Sequence, residues 1–296
     1  MVKLALGSVQ FGTNYGVSNS YGQPNTQEIT EILALAHHNN INVIDTAIAY
    51  GDSEQVLGEL ADITNRFEII TKLPPLNKEQ FSPADCAYYL ELLDLSYQKL
   101  QTNRLSGLLF HSADDILKDG NNELLQGIFS LKKSKKLAKS GVSLYSQGKY
   151  SKLLNAPLVD LVQIPYNCFD TFFSSSGYLH KFKERNIEVH ARSSFLQGLL
   201  LMELQDIPEY FLPWLDKLTL FSQVASEFSL SNLELALSYV VKEKNIDKLV
   251  IGVNNAKELE QVIQAYHNAH KVEHDQLPDL SCLEQKLVNP AHWQLD

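Results

Sequence analysis

The chain is poor in cysteine, in long apolar runs and in positive charge, and each shortage removes a class of protein. Only Cys86, Cys168 and Cys282 occur in 296 residues, with no CxxC spacing. So sparse and odd a set predicts free thiols in a reducing compartment rather than a disulfide framework. No stretch approaches the roughly 20 apolar residues that span a bilayer, and the apolar part of "MVKLALGSVQFG" is too short for a signal peptide. A cytoplasmic protein without a membrane partner is the expectation. Lys and Arg number 25 against 35 Asp and Glu, a formal charge of −10 spread along the chain, which speaks against a nucleic-acid or anionic-membrane binder. The one basic cluster, "LKKSKKLAK" (131–139), reads as the solvated end of a helix, where cations meet the negative pole of the dipole. A GxGxxG fingerprint, a P-loop, a GxSxG elbow and an HExxH pair are all absent; the first of these absences weakens a Rossmann reading. His267, His270 and His274 in "HNAHKVEH" fit only part of one helical face and lack a carboxylate–histidine motif, so no metal site is expected.

What the chain does have is regular alternation. Short runs rich in Val, Ile and Leu at 3–10, 41–47, 67–72, 105–111, 139–144, 160–166, 187–193 and 248–253 read as strands covered on both faces. Helical patterns separate them, near 25–40, 53–61, 82–100, 121–137, 147–155, 172–186, 211–228 and 255–268, with an additional one at 231–243. In the first, Ile29, Ile32, Leu33 and Ala36 recur at helical spacing; in the third, Ser82 stands at the N-cap and Pro83 in the first turn. Eight strand–helix units without a linker or composition break predict one closed (β/α)8 TIM barrel over residues 1–296, with an open doubly wound sheet as the alternative.

A barrel of this kind carries its chemistry at the C-terminal ends of its strands. The polar residues there are Asp45, Lys72, His111, Ser143, Gln163, Arg192 and Ser193, with Tyr50 in the loop after the second strand. A lysine after "EIIT" is costly to bury unpaired, and Asp45 on the neighbouring strand, about 5 Å away, is its nearest partner. A cation close to a phenol stabilises the phenolate and makes Tyr50 a better proton donor. His111 orients a carbonyl oxygen or shares its proton. The set suits carbonyl reduction, in which a proton donor stands where alkoxide charge develops.

The order "VIDTAIAYGDSEQVLGE", "IITK", "LLFH", "GVS", "VQIPYN" and "IGVNNAKELEQ" resembles the aldo-keto reductase family over essentially the whole chain. The resemblance implies a (β/α)8 barrel that binds NADP(H), less often NAD(H), and acts on a small-molecule carbonyl substrate. It also implies a catalytic tetrad of Asp45, Tyr50, Lys72 and His111, with Tyr50 as general acid. Ser143 and Gln163 resemble the pair that holds the nicotinamide carboxamide. "ARSSFLQGLL" (191–200) resembles the loop that wraps the pyrophosphate, which brings in Ser193, Phe195, Gln197 and Gly198. Arg192 falls where many members stack an aromatic ring on the nicotinamide, and a planar guanidinium also stacks. Near the last strand, Gly252, Asn254, Asn255, Lys257 and Glu258 fall in the adenosine-binding segment. Two positions depart from the pattern: Leu144 replaces a common Asn, and Glu258 stands where a basic or polar residue often meets a 2′-phosphate. A carboxylate repels that phosphate and accepts from a ribose hydroxyl, so NADP(H) is favoured only slightly and NAD(H) stays open.

Two other readings compete. Lys72 suits Schiff-base chemistry of the barrel aldolase kind, and a cofactor-binding regulatory module without turnover keeps the same residues. Cys168 reads as a lining residue at the site's mouth. Phe172, Phe173, Trp214 and Trp293 read equally as pocket walls or as packing, and substrate choice is expected in the loops and the segment 275–296.

Overall fold

The computed structural model describes residues 2–146, 148 and 150–295. Eight strands form a closed, all-parallel barrel in chain order: β1 Lys3–Gly7, β2 Val43–Asp45, β3 Glu68–Leu73, β4 Leu105–Phe110, β5 Leu137–Ser143, β6 Leu161–Pro165, β7 Glu188–Arg192 and β8 Lys248–Gly252. The register joins Gly7 to Asp45, Lys72 to Leu109, Ser143 to Gln163, Pro165 to Arg192 and Gly7 to Gly252. Most strands are followed by α-helix, including Thr26–His38, Ser53–Glu59, Pro83–Lys99, Asn122–Lys133 and Ala256–Ala269. Capping boxes start three helices, pairing Asn25 with Glu28, Ser82 with Asp85 and Ser231 with Glu234. Each satisfies amide donors that the first helical turn leaves unpaired. No helix among the described residues is long and apolar enough to cross a membrane.

The barrel interior explains how strands that read as core end in polar groups. Ala5, Val43, Ile70, Leu109 and Leu161 form an inner apolar cluster, with Val250 packed against it. Strand side chains alternate faces with period two. The next inward positions are therefore Gly7, Asp45, Lys72, His111, Gln163 and Gly252. One layer of aliphatic side chains fills the barrel, and the layer above it is the polar mouth. The outward side chains pack under the helices in the main core, and a second cluster around Phe169, Leu199, Phe211, Trp214 and Leu287 joins the C-terminal segment to the barrel.

Several elements differ from the sequence expectation. The first strand ends at Gly7, and Val9–Gly12 is a short helix, because the Ser8 amide and hydroxyl both turn onto the Asp45 carbonyl. Of the helix expected at 147–155, residues 147 and 149 lie outside the described set, and a 3-10 turn covers Leu153–Asn155. The helix expected at 172–186 breaks at Gly177, whose φ of +74° is left-handed. The basic run 131–139 divides: Lys132 and Lys133 end a helix, while Lys139 lies in β5 and pairs with Glu188. Cys168 is not a lining residue; it lies buried in the second cluster, and burial pushes its thiol up. Phe173 and Trp214 are core, and Trp293 packs edge-on against Phe211 at 4.8 Å.

Closure of the sheet leaves no room for a side chain at Gly141 of β5. A Cβ there would lie 1.6 Å from the carbonyl oxygen of Leu161 on β6. Gly141→Ala therefore destabilises the protein by about 1–3 kcal/mol through overpacking, read as a lower denaturant midpoint at an unchanged m-value; a wild-type midpoint contradicts the account.

Candidate active site

Lys72 has no exposed surface. Its Nζ lies 2.6 Å from Asp45 Oδ2, 2.8 Å from the Thr46 carbonyl oxygen and 3.3 Å from the Tyr50 hydroxyl. These three acceptors match the three N–H donors of an ammonium. Burial alone pulls the lysine down, but the Asp45 charge and then Tyr50 outweigh it and hold Lys72 above its ordinary value. Asp45 is fixed in turn: its second oxygen, Oδ1, accepts from Gln163 Nε2 at 2.8 Å, and its carbonyl accepts from Ser8. Ser8, Ser53 and Thr46 hydroxyls form a buried chain behind it.

Tyr50 is carried by a tight loop. Gly51 has φ +55°, and a Cβ on Gly12 would lie 2.0 Å from the Tyr50 carbonyl oxygen. The helix that follows is clamped to β3 by buried Glu54, which accepts from Thr71 and Ser96 hydroxyls. Glu54 thus holds the backbone next to Lys72 and takes no part in the open site.

His111 continues β4 by one bond, its amide donating to the Leu73 carbonyl. Its ring meets Tyr50 edge-on with centroids 6.1 Å apart. Burial, reinforced by the positive charges of Lys72 and Arg192, lowers its pKa from 6.5 to about 4. The imidazole is therefore neutral near pH 7, and it offers one N–H and one lone pair.

A cavity of about 630 Å³ opens over this mouth, within the usual range of roughly 300–1,000 Å³ for ligand sites. Asp45, Tyr50, His111 and Gln163 line one end, followed by Arg192, Ser193, Phe195, Gln197 and Gly198 after β7. Gly252, Asn254 and Glu258, at and after the end of β8, line it as well. The other expected residues stand back from it. Lys72 is buried behind Tyr50, Ser143 is buried beside Gln163 in register, Asn255 caps the helix Ala256–Ala269, and Lys257 points to solvent. The Glu258 carboxylate accepts from the Asn254 amide at 2.8 Å and from the Asn254 and Asn255 side chains. Arg192 lies over the Tyr145 ring at 4.8 Å and donates to Ser193 Oγ and to the carbonyl oxygen of Leu144.

Gln10, Tyr15 and Tyr145 also line the cavity and escaped the sequence reading. Gln10 falls within the strand expected at 3–10 but lies in the short helix Val9–Gly12, and Gly12 and Gly16 in "QFGTNYG" are the signal of a loop there. From the C-terminal segment 275–296, Pro290 and Ala291 reach the cavity. Among the described residues, no group of three or more metal-ligating side chains comes together.

Fold and site together define a (β/α)8 barrel with a charged, hydrogen-bonding centre at the mouth of its strands. The chain belongs to the Aldo/keto reductase family, whose profile matches residues 3–281; members use nicotinamide cofactors. It is 24% identical over 206 residues to the L-glyceraldehyde 3-phosphate reductase of Escherichia coli O157:H7, a match that spans 61% of this chain and 59% of that relative's length. Its fold is shared with an aldo-keto reductase of Bacillus halodurans in holo form, at TM-score 0.74 and 18% identity, covering 98% of this chain and 94% of that one. A protein of Pseudomonas aeruginosa assigned to the aldo-keto reductases superposes at TM-score 0.64 and 21% identity, covering 90% of both chains.

The residues present fit a dinucleotide. Buried Gln10 Oε1, His111 Nδ1 and Asn254 Oδ1 have no hydrogen-bond partner among the described residues, and all three residues line the cavity. Buried polar atoms of this kind are normally satisfied, so their convergence on one cavity points to a polar ligand. Gly252 keeps the wall thin, since a Cβ there would lie 2.5 Å from Gln10 Nε2.

The depressed pKa of His111 has a sign that can be checked. Between pH 6.5 and about 4 the unfolded chain holds a proton on this imidazole that the folded chain refuses, so His111 makes stability fall as pH falls through that window. An NMR titration is expected to place His111 near 4; an imidazole titrating at or above 6.5 contradicts the site as described.

Proposed function

We propose that this protein reduces an aldehyde or ketone to an alcohol with a reduced nicotinamide dinucleotide, Tyr50 acting as general acid. The observation that carries the reading is the Lys72 ammonium, held by Asp45 and within 3.3 Å of the Tyr50 hydroxyl. When a carbonyl oxygen approaches Tyr50, alkoxide charge develops on it and the phenol proton moves to that oxygen. The ammonium beside Tyr50 stabilises the phenolate left behind, and Asp45 keeps the ammonium charged. Neutral His111 donates one hydrogen bond to the same oxygen without competing as an acid. A bound reduced nicotinamide supplies the hydride for the carbonyl carbon. Gln163, Ser193, Gln197 and Asn254 are the residues that would hold the dinucleotide, with Gln10 added to those expected from sequence.

Between the two dinucleotides, the lean toward NADP(H) rests on family resemblance alone. The Glu258 carboxylate, at the start of the helix Ala256–Ala269, already takes the local amide donors and so favours NAD(H). The three cysteines are buried free thiols, which supports a reducing, cytoplasmic setting.

The aldolase reading is disfavoured by Lys72 itself. An amine must be unprotonated and reachable to attack a carbonyl, whereas this one is fully buried and its three donors are engaged. A regulatory module without turnover is separated by experiment. Tyr50→Phe is expected to lower kcat by about 10²- to 10⁴-fold while nicotinamide fluorescence still reports binding, with NADH tighter than NADPH. Near-wild-type turnover by Tyr50→Phe overturns the acid assignment, and tighter NADPH overturns the role given to Glu258. Cofactor binding by the wild type without reduction across a carbonyl panel returns the module reading.

A further inference from the structure

The cavity is lined by two carboxylates with close polar partners and by one cation without an ion pair among the described residues. Asp45 is paired with Lys72, and Glu258 is met by the Asn254 amide and by asparagine side chains. Arg192 is the cationic side chain on the lining, and among the described residues it forms no ion pair. The buried Asp170 carboxyl feels the Arg192 charge but makes no ion pair with it: its oxygens accept from the Ser146 hydroxyl and the Phe172 amide, and burial outweighs these three influences and pushes that acid up. Arg192 is also held still. It stacks on Tyr145 and uses two donors on Ser193 and Leu144, which leaves three of a guanidinium's five N–H groups without a partner among the described residues. Tyr145 lies against it and Tyr15 shares the lining, and neither phenol bonds to another described residue through its hydroxyl. A preset fork with free donors and neighbouring hydroxyls suits the paired oxygens of a carboxylate or phosphate.

Resting on the reductase reading above, we propose that Arg192, with Tyr15 and Tyr145, is an anion subsite and that the substrate is a carbonyl compound bearing a carboxylate or phosphate. The dinucleotide is a poorer match for this cation. Its nicotinamide becomes positively charged on oxidation, and its pyrophosphate stands a ribose away from the reacting carbon. Arg192 instead stands where the ends of β5 and β7 meet, bonded to the Leu144 carbonyl and stacked on Tyr145, on the same cavity lining as Tyr50 and His111.

Matched pairs test this directly: glycolaldehyde against glycolaldehyde phosphate, and butanal against 4-oxobutanoate. The wild type is expected to prefer the anionic member of at least one pair, and the pair that discriminates identifies phosphate or carboxylate. Arg192→Gln is expected to reduce that kcat/KM preference about 10- to 100-fold, mainly through KM, and Arg192→Lys to restore part of it. Equal treatment of both pairs by the wild type overturns the proposal. So does an Arg192→Gln loss that falls equally on neutral and anionic members together with weaker NADH and NADPH titrations, which would assign the fork to the cofactor. No reduction of any of the four, with dinucleotide still bound, overturns the reductase reading and this subsite with it.

Discussion

Lys72 is an ammonium ion without exposed surface, one inward step above the aliphatic layer of the barrel interior. A buried charge is tolerated only when it is paired and hydrogen-bonded, and much of the site meets that demand. Asp45 supplies the opposite charge, the Thr46 carbonyl and the Tyr50 hydroxyl take the other two donors, and Gln163 occupies the carboxylate oxygen that Lys72 leaves free. Breaking such a pair by removing one partner costs about 3–5 kcal/mol, so the arrangement is as much a requirement of folding as of chemistry. Strand pairing enforces it, because Asp45 is in register with Ile70 on β3 and Lys72 is the next inward residue along that strand.

The same constraint sets the electrostatics of the open cavity. Because Asp45 is spent on Lys72, it does not neutralise Arg192 across the mouth. The two cations then act together on His111, adding to burial to keep it uncharged. The proposed proton path thus has a phenol next to a fixed cation, a neutral imidazole as partner donor, and a free guanidinium beyond. A carbonyl bearing an anion would be drawn to the guanidinium and have its oxygen left between phenol and imidazole.

The barrel was legible because covered parallel strands read as continuous apolar runs, and eight of them alternate with helices without a break. The polar mouth was legible for the same reason, since Asp45, Lys72 and His111 interrupt or terminate runs that otherwise read as core. The Asp45–Lys72 pairing followed from burial and strand adjacency alone. Other features depend on contacts between segments that no local pattern records. Nothing in "GSVQFG" says that Ser8 turns onto Asp45 and sends Gln10 into the cavity. Cys168 lies next to the mouth in sequence, yet its side chain turns into the second core cluster. Arg192 read as a stacking partner for a cofactor; its contact with Tyr145 and its lack of an ion pair emerge only when the ends of β5 and β7 are brought together.

The central claim is that Asp45 and Lys72 act as one unit on Tyr50, and a double-mutant cycle of Asp45→Asn and Lys72→Met on kcat/KM tests it most directly, with near-UV circular dichroism to establish that each variant is folded. The account predicts strong non-additivity, the double variant losing about as much activity as the more damaged single variant. Losses that multiply, as for two residues acting independently, would contradict it.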